Sequence, residues 1–187
     1  MPELDFNKFT LLPEYFDHPS LLHGINHTYR VMIHVLKIGE RVGLKQEIKE
    51  AFCAAFIHDM ARKHDGFCEE HGRWAAQRKL PFFIPLFLKS GVSSNGIENI
   101  KQAVIKHSIH QEIESSFSGF KTIALLKDAD ALDRIRISAD NLRPEYLRFA
   151  ESHHLIRFAE NLYYLTNTKT LSSFNEMLDI AKNIADN

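Results

Sequence analysis

Residues 45–62, KQEIKEAFCAAFIHDMAR, constrain this chain more than any other stretch. Ala51, Ala54, Ala55, His58 and Arg62 recur at helical intervals, so the segment predicts one long helix with a small-residue face that a second helix can approach closely. Near its end that helix sets an imidazole beside a carboxylate, His58-Asp59. A carboxylate inside an apolar pattern is costly unless something neutralises it. The pair therefore either satisfies itself and nearby backbone groups or holds a cation.

The other long segments read the same way. INHTYRVMIHVLKIGERVG (25–43) puts His27, Val31, Val35 and Ile38 near one face, with Gly43 as the stop. CEEHGRWAAQRKL (68–80) predicts a short helix ended by Pro81, and Pro85 should kink or break the apolar run FFIPLFLK. SNGIENIKQAVIKHSIH aligns Ile97, Ile100, Val104 and His107 on a stripe. FKTIALLKDADALDRIRIS (120–138) predicts a buried helix in which Asp128, Asp130 and Asp133 are the anomalies. PEYLRFAESHHLIRFAENLYYL, opening with Pro144, and LSSFNEMLDIAKNIA supply further helices. No segment alternates like a strand, and only 8 glycines are present, which disfavours a turn-rich β fold. The expectation is an all-α fold of about seven or more helices.

A length of 187 residues without repeats or a Pro/Gly-rich linker suits one compact domain spanning 1–187. A net charge of −1 gives no general attraction to nucleic acid or to an anionic membrane, so no nucleic-acid footprint is expected. No apolar run reaches the ~18 residues of a spanning helix, and the N-terminus has no basic region of a secretory signal. The two cysteines, Cys53 and Cys68, make no disulfide framework, and a cytoplasmic setting is the simplest expectation.

His27, the pair His58-Asp59 and an aspartate of LLKDADALD each place an imidazole or carboxylate inside an apolar helical pattern. Both groups are ligands for first-row divalent metals. Singly, such a histidine is ordinarily a core residue with a hydrogen-bond partner. Four of these features in order, on separate helices, argue for a metal centre.

That ordered set resembles the HD-domain superfamily of metal-dependent phosphohydrolases. LLHGINHTYRVM is similar to its first-histidine segment, with His27 as the match. AAFIHDMAR is similar to the signature that names the family, with His58 and Asp59. LLKDADALDRI is similar to the last-aspartate segment, with Asp130 at the Ala-Asp-x-Leu position and Asp128 as the alternative that fits the helical face almost as well. The extension HDMARKHDGFCEEHGRWAA matches at Arg62, Asp65 and His71, and AVIKHSIH at His107.

The resemblance spans about 20–137, the metal-site core, with C-terminal helices over 144–187. It implies an HD-type helical bundle in which His27, His58, Asp59 and Asp130 bind a divalent ion. Mn or Fe is favoured, with Co, Ni and Mg as alternatives. One ion is the expected resting state, with His71 and His107 serving the substrate or a second ion. The implied activity is hydrolysis of a phosphate ester or anhydride of a nucleotide or another small phosphorylated metabolite. Asp59, Arg62, His71 and His107 are its catalytic candidates. A two-iron oxygenase on the same scaffold and a non-catalytic metal-bearing module are the alternatives. His23 and Lys106 flank these segments as bystanders or substrate contacts.

Overall fold

The computed structural model describes residues 4–184. Among them nine α-helices carry the fold and no strand forms, as the all-α expectation requires. The helices are α1 (Ile25–Val42), α2 (Gln46–Ile57), α3 (His71–Arg78), α4 (Leu80–Lys89), α5 (Ser94–His107), α6 (Phe120–Leu132), α7 (Ala150–His153), α8 (Ile156–Thr166) and α9 (Phe174–Lys182). α1, α2, α5 and α6 pack against one another at the centre. Every residue from Ala51 to Ala61 is buried, because the small side chains of α2 let neighbours close in on all sides. Rings from both ends of the chain seal that core: Phe9 packs edge-on against Phe52 and Phe56, and Phe174 against Phe52.

Gly43 stops α1 as expected. It adopts φ 77°, and the Gly43 and Leu44 amides close on the Glu40 and Gly39 carbonyls, a Schellman ending that glycine permits without strain.

Several boundaries differ from the sequence expectation. α2 ends at Ile57, well short of Arg62. The His58 ring takes the Ala55 carbonyl through Nδ1 at 2.7 Å, and the chain tightens into the short turns Met60 N–H to Ile57 O and Arg62 N–H to Asp59 O. Pro81 lies in the first turn of α4, where a missing N–H costs nothing, so it opens a new helix immediately after α3. Pro85 sits inside α4 without ending it. The long helix expected over 120–138 changes to a 3₁₀ turn at Asp133–Arg136. The stretch from Pro144 is likewise divided, into a 3₁₀ turn (Pro144–Tyr146), α7 and α8. Asp128 is the cause of that division. Its buried carboxylate accepts the Arg148 and Phe149 backbone N–H groups at 2.9–3.0 Å and the Ser152 hydroxyl at 2.8 Å, which holds the chain extended before α7.

α1 also buries His34, edge-on to Phe158, with neither ring nitrogen hydrogen-bonded. Burial, helped by Arg30 and His27 and opposed by Asp133 and Asp130, pushes its imidazole down from the ordinary 6.5 to about 4. Between those two values the unfolded chain binds a proton that the folded chain refuses. Stability should therefore fall as pH drops from 6.5, by about 2 kcal/mol at pH 5 from this group alone. His34→Leu should flatten that acid limb in denaturant melts at pH 7 and pH 5.

Candidate metal centre

Asp59 stands at the middle of the site, and its two carboxylate oxygens face two different groups of histidines. On the Oδ2 side, His27 comes from the first turn of α1, His58 from the end of α2 and Asp130 from the last turn of α6. His27 Nε2 lies 3.1 Å from His58 Nε2, 3.4 Å from Asp59 Oδ2 and 3.5 Å from Asp130 Oδ1. His58 Nε2 is 3.7 Å from Asp59 Oδ2.

The opposite nitrogens fix the tautomers. His27 Nδ1 is 2.7 Å from Asp133 Oδ2, and His58 Nδ1 is 2.7 Å from the Ala55 carbonyl, so each Nδ1 carries the hydrogen. Both Nε2 atoms then present lone pairs to each other and to two carboxylate oxygens. Four acceptors facing inward repel until a cation lies among them, and Asp130 Oδ1 is buried with no hydrogen-bond partner. His27, His58 and Asp130 bring their ligand atoms close enough to share one ion. Neutral imidazole with carboxylate is a donor set that first-row divalent metals accept, so the residues present fit such an ion.

On the Oδ1 side the pattern repeats. His71 Nε2 lies 3.0 Å and His107 Nε2 3.6 Å from Asp59 Oδ1, and the two Nε2 atoms are 2.9 Å apart. Their Nδ1 atoms donate to the Cys68 and Val104 carbonyls at 2.5 and 2.6 Å, so lone pairs again meet without a hydrogen between them. Gly72 permits this approach of α3 to α5: a Cβ there would stand 2.2 Å from the Val104 carbonyl oxygen.

The electrostatics keep the ligands in their binding forms. Burial pushes His58 down to about 3 and lowers His107 and His23, so these imidazoles are neutral at pH 7. Burial would raise the Asp59 carboxyl, but it is held below the usual carboxylate range, and His23 is the ring that donates to it, from Nδ1 to Oδ2. Asp133 is also held far below that range. Burial opposes this, but Arg30 donates to both of its oxygens from Nε at 2.5 Å and Nη2 at 3.0 Å, and His27 binds it as well. A carboxylate behind a ligating histidine fixes the ring and strengthens it as a ligand.

A family comparison decides what this arrangement belongs to. The HD-domain model matches residues 24–154, a span holding His27, His58-Asp59, His71, His107 and Asp130. This chain belongs to the HD-domain family. The HD domain here is also similar to a crystal structure described as a predicted HD superfamily hydrolase from an uncultured Thermotogales bacterium. Identity is 24%, coverage is 86% of this chain and 83% of that one, and the TM-score is 0.55; that likeness concerns the fold. No curated protein matches the chain.

The HD domain brings all seven sequence candidates together. Asp130 faces the His27–His58 cluster, while Asp128 turns to the α7 loop. Arg62 reaches the site by another route than expected. It no longer shares a helix with His58, and instead donates from Nε to Asp59 Oδ1 at 3.0 Å and from Nη1 to the Gly66 carbonyl at 3.1 Å. Asp65, matched beside it in the sequence, bonds Ser20 instead.

Sequence reasoning missed three participants. His23 is no bystander: its buried Nδ1 lies 2.8 Å from Asp59 Oδ2. Asp133 was visible only as a charge in an apolar helix, and Arg136, 3.5 Å from Asp130 Oδ1, gave no signal. Lys106 lies over the Phe117 ring at 5.9 Å. Among the described residues no helix is long and apolar enough to cross a membrane.

Proposed function

We propose that this HD domain is a metal-dependent phosphohydrolase acting on a nucleotide or another small phosphorylated metabolite, and that Asp59 would help hold two divalent ions, one with His27, His58 and Asp130 and one with His71 and His107. The observation that carries the reading is the single carboxylate between two clusters of inward lone pairs, His27–His58–Asp130 and His71–His107. This departs from the one-ion resting state expected from the sequence. Two divalent ions repel unless an anionic oxygen bridge holds them, and the two oxygens of Asp59 are placed for that. The nitrogen–oxygen donor set without thiolate supports Mn or Fe.

Ions held there would supply polarisation of a phosphoryl oxygen and a bound water with its pKa brought towards neutrality. The chain's own residues do the rest. His23 and Arg62 fix Asp59 from its two sides, Asp133 fixes His27, and the Ala55, Cys68 and Val104 carbonyls hold the other three rings in the ligating tautomer. The Asp130 side chain, 24% exposed, is the most solvent-accessible of the candidate ligands, so a substrate would approach from its side.

The test is a hydrolysis screen of metal-reconstituted protein across nucleotides and sugar phosphates, with elemental analysis of the same sample. Turnover of a phosphate ester and two metal equivalents per chain are expected. The paired clusters also suit a two-iron oxygenase; oxygen uptake by the iron form, with no phosphate release from any ester, would favour that reading instead.

Gly72→Ala should force α3 off α5 and part His71 from His107. The expected result is a fall from two metal equivalents towards one, read by elemental analysis, with the α1–α2–α6 cluster still loaded.

A further inference from the structure

We propose that Arg136 is a substrate contact that grips a phosphoryl oxygen on the Asp130 side of the centre. The inference rests on the phosphohydrolase reading above.

A guanidinium brings five N–H donors that must be placed when it is buried. Arg30 shows the satisfied case: Nε and Nη2 donate to Asp133, Nη1 approaches Thr166 Oγ1 at 3.4 Å, and the plane lies over the Tyr163 ring. The Arg136 side chain is just as enclosed, 5% exposed, but makes one firm bond, Nε to the Leu22 carbonyl at 2.8 Å.

Its two NH₂ groups make only long contacts. Nη1 is buried without a hydrogen-bond partner, 3.9 Å from an Asp133 oxygen already taken by His27 and Arg30. Nη2 lies 3.3 Å from His23 Nδ1. That nitrogen carries one hydrogen at most and is 2.8 Å from Asp59 Oδ2, so it donates to the carboxylate and offers no lone pair to Arg136. The remaining neighbour, Asp130 Oδ1 at 3.5 Å, is turned towards the His27–His58 cluster.

Desolvated donors without acceptors are costly, and more so on a charged group. A phosphoryl group entering beside Asp130 supplies oxygens that a guanidinium fork can take in pairs. Arg62, on the other side of Asp59, already spends Nε on Asp59 and Nη1 on Gly66. Arg136 therefore keeps four N–H groups without a firm acceptor, against three on Arg62, and it stands on the Asp130 side.

The experiment titrates inorganic phosphate into metal-loaded wild-type, Arg136→Met and Arg136→Lys proteins by calorimetry. Metal content and KM for the best ester are measured on the same samples. Loss of a charge-assisted contact should weaken phosphate binding about 10- to 100-fold in Arg136→Met. KM should rise in parallel and metal equivalents should stay unchanged. Arg136→Lys should fall between the two, because an ammonium cannot reach both the Leu22 carbonyl and the anion; if Arg136→Met does not fold, this variant decides. Unchanged phosphate affinity in the folded variants, or loss of metal along with affinity, overturns the assignment while leaving phosphate ester hydrolysis by the wild type intact. A wild-type protein that neither binds phosphate nor hydrolyses any phosphate ester overturns the phosphohydrolase reading and this inference with it.

Discussion

Asp59→Asn protein should purify folded but hold no stoichiometric metal, and should lose phosphate ester turnover by about 10³-fold or more. Both oxygens of Asp59 are in use: Oδ2 faces His27 and His58 at 3.4 and 3.7 Å, and Oδ1 faces His71 and His107 at 3.0 and 3.6 Å. Asparagine keeps the shape. It removes the one charge shared by both clusters and turns NH₂ donors towards lone pairs that a metal ion would otherwise receive. Loss of an outer-shell partner already costs about 10- to 100-fold in metal affinity, and loss of a bridging ligand should exceed that. Elemental analysis and a phosphate-release assay check both parts, with circular dichroism as the fold control. Retention of two equivalents by the asparagine variant would show that the carboxylate is not the bridge.

Asp133→Asn should damage stability and metal binding together. Arg30 is 2% exposed and its charge is matched by Asp133. Breaking a buried pair by removing one partner costs about 3–5 kcal/mol, because the other charge stays desolvated. The metal effect arises from the tautomer of His27. With a carboxylate at 2.7 Å, Nδ1 holds the hydrogen and Nε2 is free. If the asparagine gives its oxygen to Arg30, its NH₂ group faces His27 Nδ1. That drives the hydrogen to Nε2, directly into the cluster. Metal affinity should fall about 10- to 100-fold. Adding Arg30→Met should recover much of the lost stability, since no unpaired charge remains, but none of the metal affinity. Denaturant melts and metal titrations on the single and double variants separate the two effects; recovery of metal binding in the double variant would refute the tautomer argument.

The helical architecture was legible because helices are set by local periodicity: the stop at Gly43, the stripe of α5 and the buried run of α2 need no knowledge of the rest of the chain. The breaks were not. α2 ends early because a side chain, His58, takes the Ala55 carbonyl. The stretch after Pro144 divides because Asp128, about 20 residues upstream, takes the Arg148 and Phe149 N–H groups. Neither competitor for a backbone hydrogen bond is visible in a periodicity.

The sequence by itself determined an all-helical chain and the candidate ligands His27, His58-Asp59 and Asp130, with His71 and His107 as candidates for the substrate or a second ion, because imidazoles and carboxylates stand out inside apolar patterns and their order is that of a family. Only the tertiary structure decided that Asp130 and not Asp128 faces the centre: side chains two residues apart on a helix point about 160° away from each other, and packing chooses which of the two faces meets α1 and α2. It also decided that Asp59 presents one oxygen to each cluster, that Asp133 sets the tautomer of His27, and that His23 and Arg136, side chains of marked segments that carried no signal of their own role, join the site. Those are statements about which atom faces which across contacts of 30 to more than 100 residues in the chain. Such facings are fixed by how the helices pack, and composition and local spacing carry no record of them.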